Sequence, residues 1–168
     1  MMNSSEQLWL QLVDAERSFF AANRALLEAR TALADQEADL DQLVARALAN
    51  PAERATALRL LLAAPESVRR KTFPILVELA AVSHRDLQLV REVILSLDAA
   101  WVAQHVVPHI ERILKGSPTE EEYRRFAELL ERLDNPYLST LLERAASSDE
   151  ADIREIAADF GRANPRAS

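Results

Sequence analysis

Phe73-Pro74-Ile75-Leu76 and Val107-Pro108-His109-Ile110 stand 34 residues apart, and in each the proline is followed by apolar residues two and five positions on: Leu76 and Leu79, then Ile110 and Ile113. Recurrence at a spacing of about 20–50 residues is the signature of repeat architectures, in which one supersecondary unit cannot bury its apolar face alone and stacks on the next copy. Other features keep step with the prolines. Asp86 precedes Val90-Arg91, Glu120 precedes Tyr123-Arg124, and Asp149 precedes Ile153-Arg154. Leu97-Asp98-Ala99-Ala100-Trp101 aligns with Leu133-Asp134-Asn135-Pro136-Tyr137 at a shift of 36 residues, with an aromatic in the same place.

Outward from these stretches, the punctuation is that of short helices. Asn50-Pro51, Ala64-Pro65, Gly116-Ser117-Pro118, Asn135-Pro136 and Ser147-Ser148-Asp149 each supply an N-cap or a proline for a first helical turn, and Ser83-His84 and Leu97-Asp98 are further breaks. They predict helices over 51–63, 66–82, 84–97, 99–115, 118–133, 135–147 and 149–162, joined by short connections that make neighbours antiparallel. No run of β-branched residues with period two competes. Only 2 of the 168 residues are glycine, too few for the turns of an all-β or α/β protein. Alanine, leucine, glutamate and arginine dominate, and all four favour helix.

At the quoted residues the chain resembles the HEAT-repeat family, whose two-helix units carry a proline in the first helix and an Asp…Val-Arg signature opening the second. The resemblance covers about 66–162 as three units, 66–97, 99–133 and 135–162. It departs from the pattern at Leu142, where a proline is expected, and at Glu120 and Tyr123 in the second unit. The resemblance implies an all-α fold, a short right-handed α–α solenoid of HEAT-like hairpins. It further implies a structural ladder between units, for which Asp86, Arg91, Arg124, Asp149 and Arg154 are the candidates. Pro74 and Pro108 each remove a backbone donor inside a helix, which is expected to kink the first helix of a unit.

Residues 1–50 are different, holding neither proline nor glycine. Steps of four and three connect Leu8, Leu12, Ala15, Phe19, Ala22, Leu26, Ala29, Leu33, Gln36, Leu40, Leu43 and Ala47. In heptad lettering Leu12, Phe19, Leu26, Leu33 and Leu40 are a positions, while Leu8 and three alanines hold d. A second stripe, Val13, Phe20, Leu27 and Ala34, runs beside the first. Unbroken from Glu6 to Leu48, such a helix would be roughly 65 Å long; the alternative is a break near 35–41, where acids cluster. The expected organisation is therefore 1–50 as a long amphipathic helix, coiled-coil-like or broken, 51–162 as HEAT-like repeats, and 163–168 as a tail.

Composition narrows the function. Twenty basic against 27 acidic side chains give a net charge of −7, without the dense basic face that neutralises phosphates, so nucleic acid is disfavoured. The absence of cysteine removes disulfides, thiolate metal sites and a cysteine nucleophile. The first residues lack a signal-peptide pattern, and no apolar run approaches the roughly 20 residues that span a bilayer, so a soluble, cytoplasmic protein without membrane association is expected. His105 and His109 share a helix face, but no third ligand joins them and Pro108 distorts the intervening turn, so no metal and no cofactor are expected. Two isolated glycines cannot build a phosphate loop. The expected function is a non-catalytic protein–protein interaction module, a scaffold or adaptor whose partner is another protein or a second copy of itself. Its alternatives are an immunity-type inhibitor of a basic partner and a HEAT-like enzyme or nucleic-acid binder. Trp9, Phe20 and Leu27, with the basic pair Arg69 and Arg70, are the candidate partner-binding residues, because aromatic and arginine anchors dominate interface hot spots.

Overall fold

The structure, a computed structural model, describes residues 4–34 and 40–163. Among the described residues it is all-α: α1 (Ser4–Ala34), α2 (Leu40–Ala49), α3 (Arg54–Ala63), α4 (Glu66–Ala80), α5 (Leu87–Leu95), α6 (Ala99–Leu114), α7 (Glu120–Arg132), α8 (Tyr137–Ala146) and α9 (Ala151–Ala163). None of these helices is long and apolar enough to cross a membrane. The chain divides into two compact units, Met1–Leu40 and Asp41–Ser168. All of α2 after its first residue thus groups with the second unit rather than with the N-terminal helix. The continuity or break of that helix across 35–39 lies outside the described residues, as does the tail from 164 onward.

Among the described residues the first unit is α1 and the first residue of α2; α1 has 31 residues, about 46 Å of helix at 1.5 Å per residue. Two of its hydroxyls are satisfied locally. Ser18 Oγ donates to the Asp14 carbonyl at 2.9 Å, and Thr31 Oγ1 to the Leu27 carbonyl at 3.1 Å. One of its ion pairs, Arg17 to Asp14 at 3.7 Å, is wholly exposed and contributes little.

In the second unit, caps fix the helix starts. Thr119 and Glu122 form a reciprocal capping box at α7: the Glu122 carboxylate accepts from the Thr119 N–H at 2.7 Å, and the Thr119 hydroxyl accepts from the Glu122 N–H at 3.4 Å. Asp98 caps α6 by accepting from the Trp101 N–H at 2.8 Å. Asn135 accepts from the Tyr137 N–H at 3.0 Å as α8 begins. Just before it, Asp134 turns the chain with φ 48°, and the Asn135 N–H reaches back to the Leu130 carbonyl at 3.0 Å. Both prolines lie inside their helices, Pro74 in α4 and Pro108 in α6.

Apolar residues at helical spacing build the core. Val102, Val106, Ile110 and Leu114 form one buried stripe of α6. Phe73, Leu76, Val77 and Ala80 do the same in α4, and Tyr123, Phe126, Leu129 and Leu130 in α7. Packing follows chain order: α3 on α5; α4 on α5, α6 and α7; α6 on α7; α7 on α8 and α9; α8 on α9. No packing of that extent joins α4 or α5 to α8 or α9 among the described residues.

Candidate interaction surface

Along α1, residues three and four apart share a face. The stripe Leu8, Leu12, Phe19, Leu26 and Leu33 is exposed along its whole length, with Phe19 at 65% and Leu12 at 51%. The alanines between, Ala15, Ala22 and Ala29, are exposed too. Beside this stripe lies the second. Trp9, Phe20 and Leu27 are separated by about three and then two helical turns, so they share one side of the helix, and they are 65%, 63% and 53% exposed. Phe19 and Phe20 bridge the two stripes, with their rings edge to face at 5.7 Å. A lone exposed leucine is ordinary, but a continuous apolar band of this kind marks an interaction surface. Each of these large side chains would contribute about 1.5–3 kcal/mol on full burial.

Arg69 and Arg70 lie elsewhere, on α4 in the second unit, and are engaged within the chain. Arg69 is half-buried and reaches Ser96 Oγ at 3.4 Å, while its Nε has no hydrogen-bond partner among the described residues. Arg70 is held by Glu66 at 2.6 Å and lies 4.9 Å from the centre of the Trp101 ring. Trp101 is half-buried. It meets Phe73 edge to face at 5.0 Å and stacks on His105 at 4.1 Å. His105 Nδ1 is 2.7 Å from the Trp101 carbonyl, and His109 packs on Phe73 at 5.7 Å. Burial is the main reason that His109 is held below its ordinary pKa, and Arg112 and His105 add to it against Glu78. Tyr137, which matches Trp101 in the repeat, is likewise half-buried and donates from its hydroxyl to Glu111. Among the described residues no group of three or more His, Asp or Glu side chains is placed to hold a metal.

The five ladder candidates have different partners. Arg91 is 6% exposed and bonds Glu128 of α7, which also accepts from Arg125 at 2.9 Å and 3.0 Å. Burial pushes the Glu128 carboxyl up, but the bonds from Arg91 and then Arg125 outweigh it and hold the group below its usual value. Arg124 bonds Glu120 within α7 at 2.7 Å and Asp159 of α9 at 3.3 Å. Arg154 turns to the backbone, donating to the Ser148 and Asp149 carbonyls at 2.8 Å each. Asp86 is buried, 3.6 Å from Arg85, and its Oδ2 has no hydrogen-bond partner among the described residues. Glutamates, and one aspartate outside the signature, therefore serve the arginines here.

These bonds recur with the repeat. Arg91 to Glu128 spans 37 residues and Arg124 to Asp159 spans 35, linking α5 to α7 and α7 to α9. Arg112 to Glu78 spans 34 and Arg144 to Glu111 spans 33, linking α6 to α4 and α8 to α6. Arg85 donating to the Pro51 carbonyl spans 34. Two rows of ion pairs thus join helices two places apart. The sequence reading did not find Glu78, Glu111, Glu128 and Asp159; the one trace they leave in it is an acid 33–37 residues from each arginine, close to the spacing of the prolines. The chain matches no family model, no curated protein and no solved structure.

Proposed function

We propose that this protein is a non-catalytic protein–protein interaction module, in which α1 carries the contact surface and α3–α9 form a short HEAT-like α–α solenoid. The observation that carries the proposal is the exposed double stripe of α1, Leu12, Phe19 and Leu26 beside Trp9, Phe20 and Leu27. Burying it is worth several kilocalories per mole, enough to outweigh part of the cost of association. The solenoid reading draws support from packing in chain order and from ion pairs spaced at 33, 34, 35 and 37 residues. The side chains best suited to proton transfer, His105 and His109, are taken up by ring contacts with Trp101 and Phe73, which fits a structural role. The test is affinity capture of the full chain with quantitative mass spectrometry, wild type against Phe20→Glu with Leu27→Glu. The expected result is a bound protein, or more of the same chain, that the double variant loses. Identical capture by both would contradict the proposal.

A further inference from the structure

The heptad seam of α1 alternates in size. Large residues hold the a positions, Leu12, Phe19, Leu26 and Leu33, while alanines hold d at 15, 22 and 29, with Leu8 closing the row. Identical helices that pair in parallel place a on a and d on d. Phe19 would then meet Phe19 of the other copy, holding the helices apart, and Ala22 would face Ala22 across a gap. Voids and overpacked layers are both destabilising. An antiparallel copy instead sets large on small at every layer but the two at the ends. Phe19 meets Ala22 of the second copy, Leu26 meets Ala15, and Leu12 meets Ala29. Leu33 meets Leu8 at each end. Because a two-fold pairing is self-complementary, every such contact occurs twice.

Charge agrees with size. The e positions beside the seam are Glu16, Asn23 and Arg30. In the same antiparallel register Glu16 lies against Arg30 of the second copy, Arg30 against Glu16, and Asn23 against Asn23. In the parallel arrangement the flanking pairs are Gln11 with Glu16, Ser18 with Asn23 and Ala25 with Arg30, none of them oppositely charged. Flanking charges set orientation in helix pairs. Glu16 is exposed and makes no ion pair among the described residues; Arg30 is half-buried, and its Nε has no hydrogen-bond partner among them. The geometry points to a second copy of this chain as the occupant of the α1 seam, bound antiparallel with Phe19 on Ala22 and Glu16 on Arg30. This rests on the interaction role proposed above and names the partner.

Single cysteines test it, since the natural chain has none. Full-length Leu8→Cys and Leu33→Cys chains are oxidised separately and as an equal mixture. Antiparallel pairing predicts a disulfide joining the two variants in the mixture and little in either alone. Residues 8 of the two copies would lie about 37 Å apart along the helix axis, while a disulfide needs Cα atoms within about 4.4–6.8 Å. A disulfide in Leu8→Cys alone would overturn the orientation. No crosslink in any sample would overturn the second copy as occupant, whereas the interaction role would fall only if capture is also unaffected by Phe20→Glu with Leu27→Glu. A second readout uses charge. Glu16→Arg should weaken dimerisation about tenfold, and adding Arg30→Glu should restore it; a double variant no better than the single would overturn the pairing of these two residues.

Discussion

Phe19 and Phe126 are the same side chain on amphipathic helices of one chain, yet Phe19 is 65% exposed and Phe126 is fully buried. Helices α1 and α7 both repeat apolar residues at helical spacing. In the second unit each helix is short, α4, α6, α7 and α8 begin at a cap or a proline, and neighbours fold back on one another, so a stripe finds a facing stripe. There the exposed large apolar residues are scattered singly, such as Leu62, Val82 and Leu95. Along α1, 31 residues run without a proline or glycine, and the stripe stays open for its full length. Periodicity states that a face wants to be covered; the punctuation between helices decides whether the chain itself can cover it.

The sharpest way to break this contrast is to truncate both phenylalanines. Phe126→Ala should cost about 3–5 kcal/mol of stability by urea denaturation, since it leaves a cavity among Tyr123, Leu129 and their neighbours. Phe19→Ala, measured at a concentration too low for association, should change it by less than about 0.5 kcal/mol. Equal effects would mean that the first unit is packed like the second.

A second comparison sets a buried rung of the ion-pair rows against an exposed one. Arg91 is 7% exposed at its side chain, whereas Arg112 and Glu78 are 57% and 50% exposed. Arg91→Ala should cost about 2–4 kcal/mol, because it strips the partly buried Glu128 of one of its two cations. Arg112→Ala should cost less than about 1 kcal/mol. Thermal melts of the two variants separate the cases.

At the α7–α8 turn, Asp134→Gly should stabilise the second unit by about 0.5–1 kcal/mol, since φ 48° suits glycine better than aspartate. A lower melting temperature would show that the aspartate side chain makes a contribution the turn needs.

The smallest expected effect is on pH. Glu128 titrates lower in the folded chain than in the unfolded one, so its stabilisation is complete above the usual carboxylate range and is lost as pH falls through the depressed native value. His109 acts in the same direction at higher pH. Its neutral ring is favoured by burial, so a penalty absent above 6.5 sets in as pH drops below that value. Melting temperature should decline gently on acidification from neutral pH, and His109→Gln should remove the first part of the decline only.

Much of the second unit was legible in the sequence because its boundaries are chemical. Pro65, Asp98 and Asn135 stand where α4, α6 and α8 begin, Pro118 stands just ahead of the Thr119 cap of α7, and the predicted spans differ from the observed ones by at most three residues. The ion-pair partners were not legible. Asp86 and Asp149 sit at the signature positions, yet the bonds go to Glu128 and Asp159, because side-chain reach across packed helices depends on their offset and not on position within a unit. Arg69 and Arg70 read as a basic patch, but Ser96, Glu66 and Trp101 engage them, and nothing local in the sequence announces a contact 27 residues away. On α1, Trp9, Phe20 and Leu27 are exposed, but Phe19 and Leu12 of the neighbouring stripe are just as open, so exposure does not single out the three residues that the sequence reading chose as anchors.

Association through α1, as proposed, leaves a direct mark on the mass of the full chain in solution. Light scattering of the full chain, wild type against Phe19→Glu with Leu26→Glu, tests it most directly when paired with thermal melts. The expected result is a wild type of twice the chain mass and a variant of single mass, with the second unit of the dilute proteins melting alike. Equal masses for the two proteins at every concentration would contradict it.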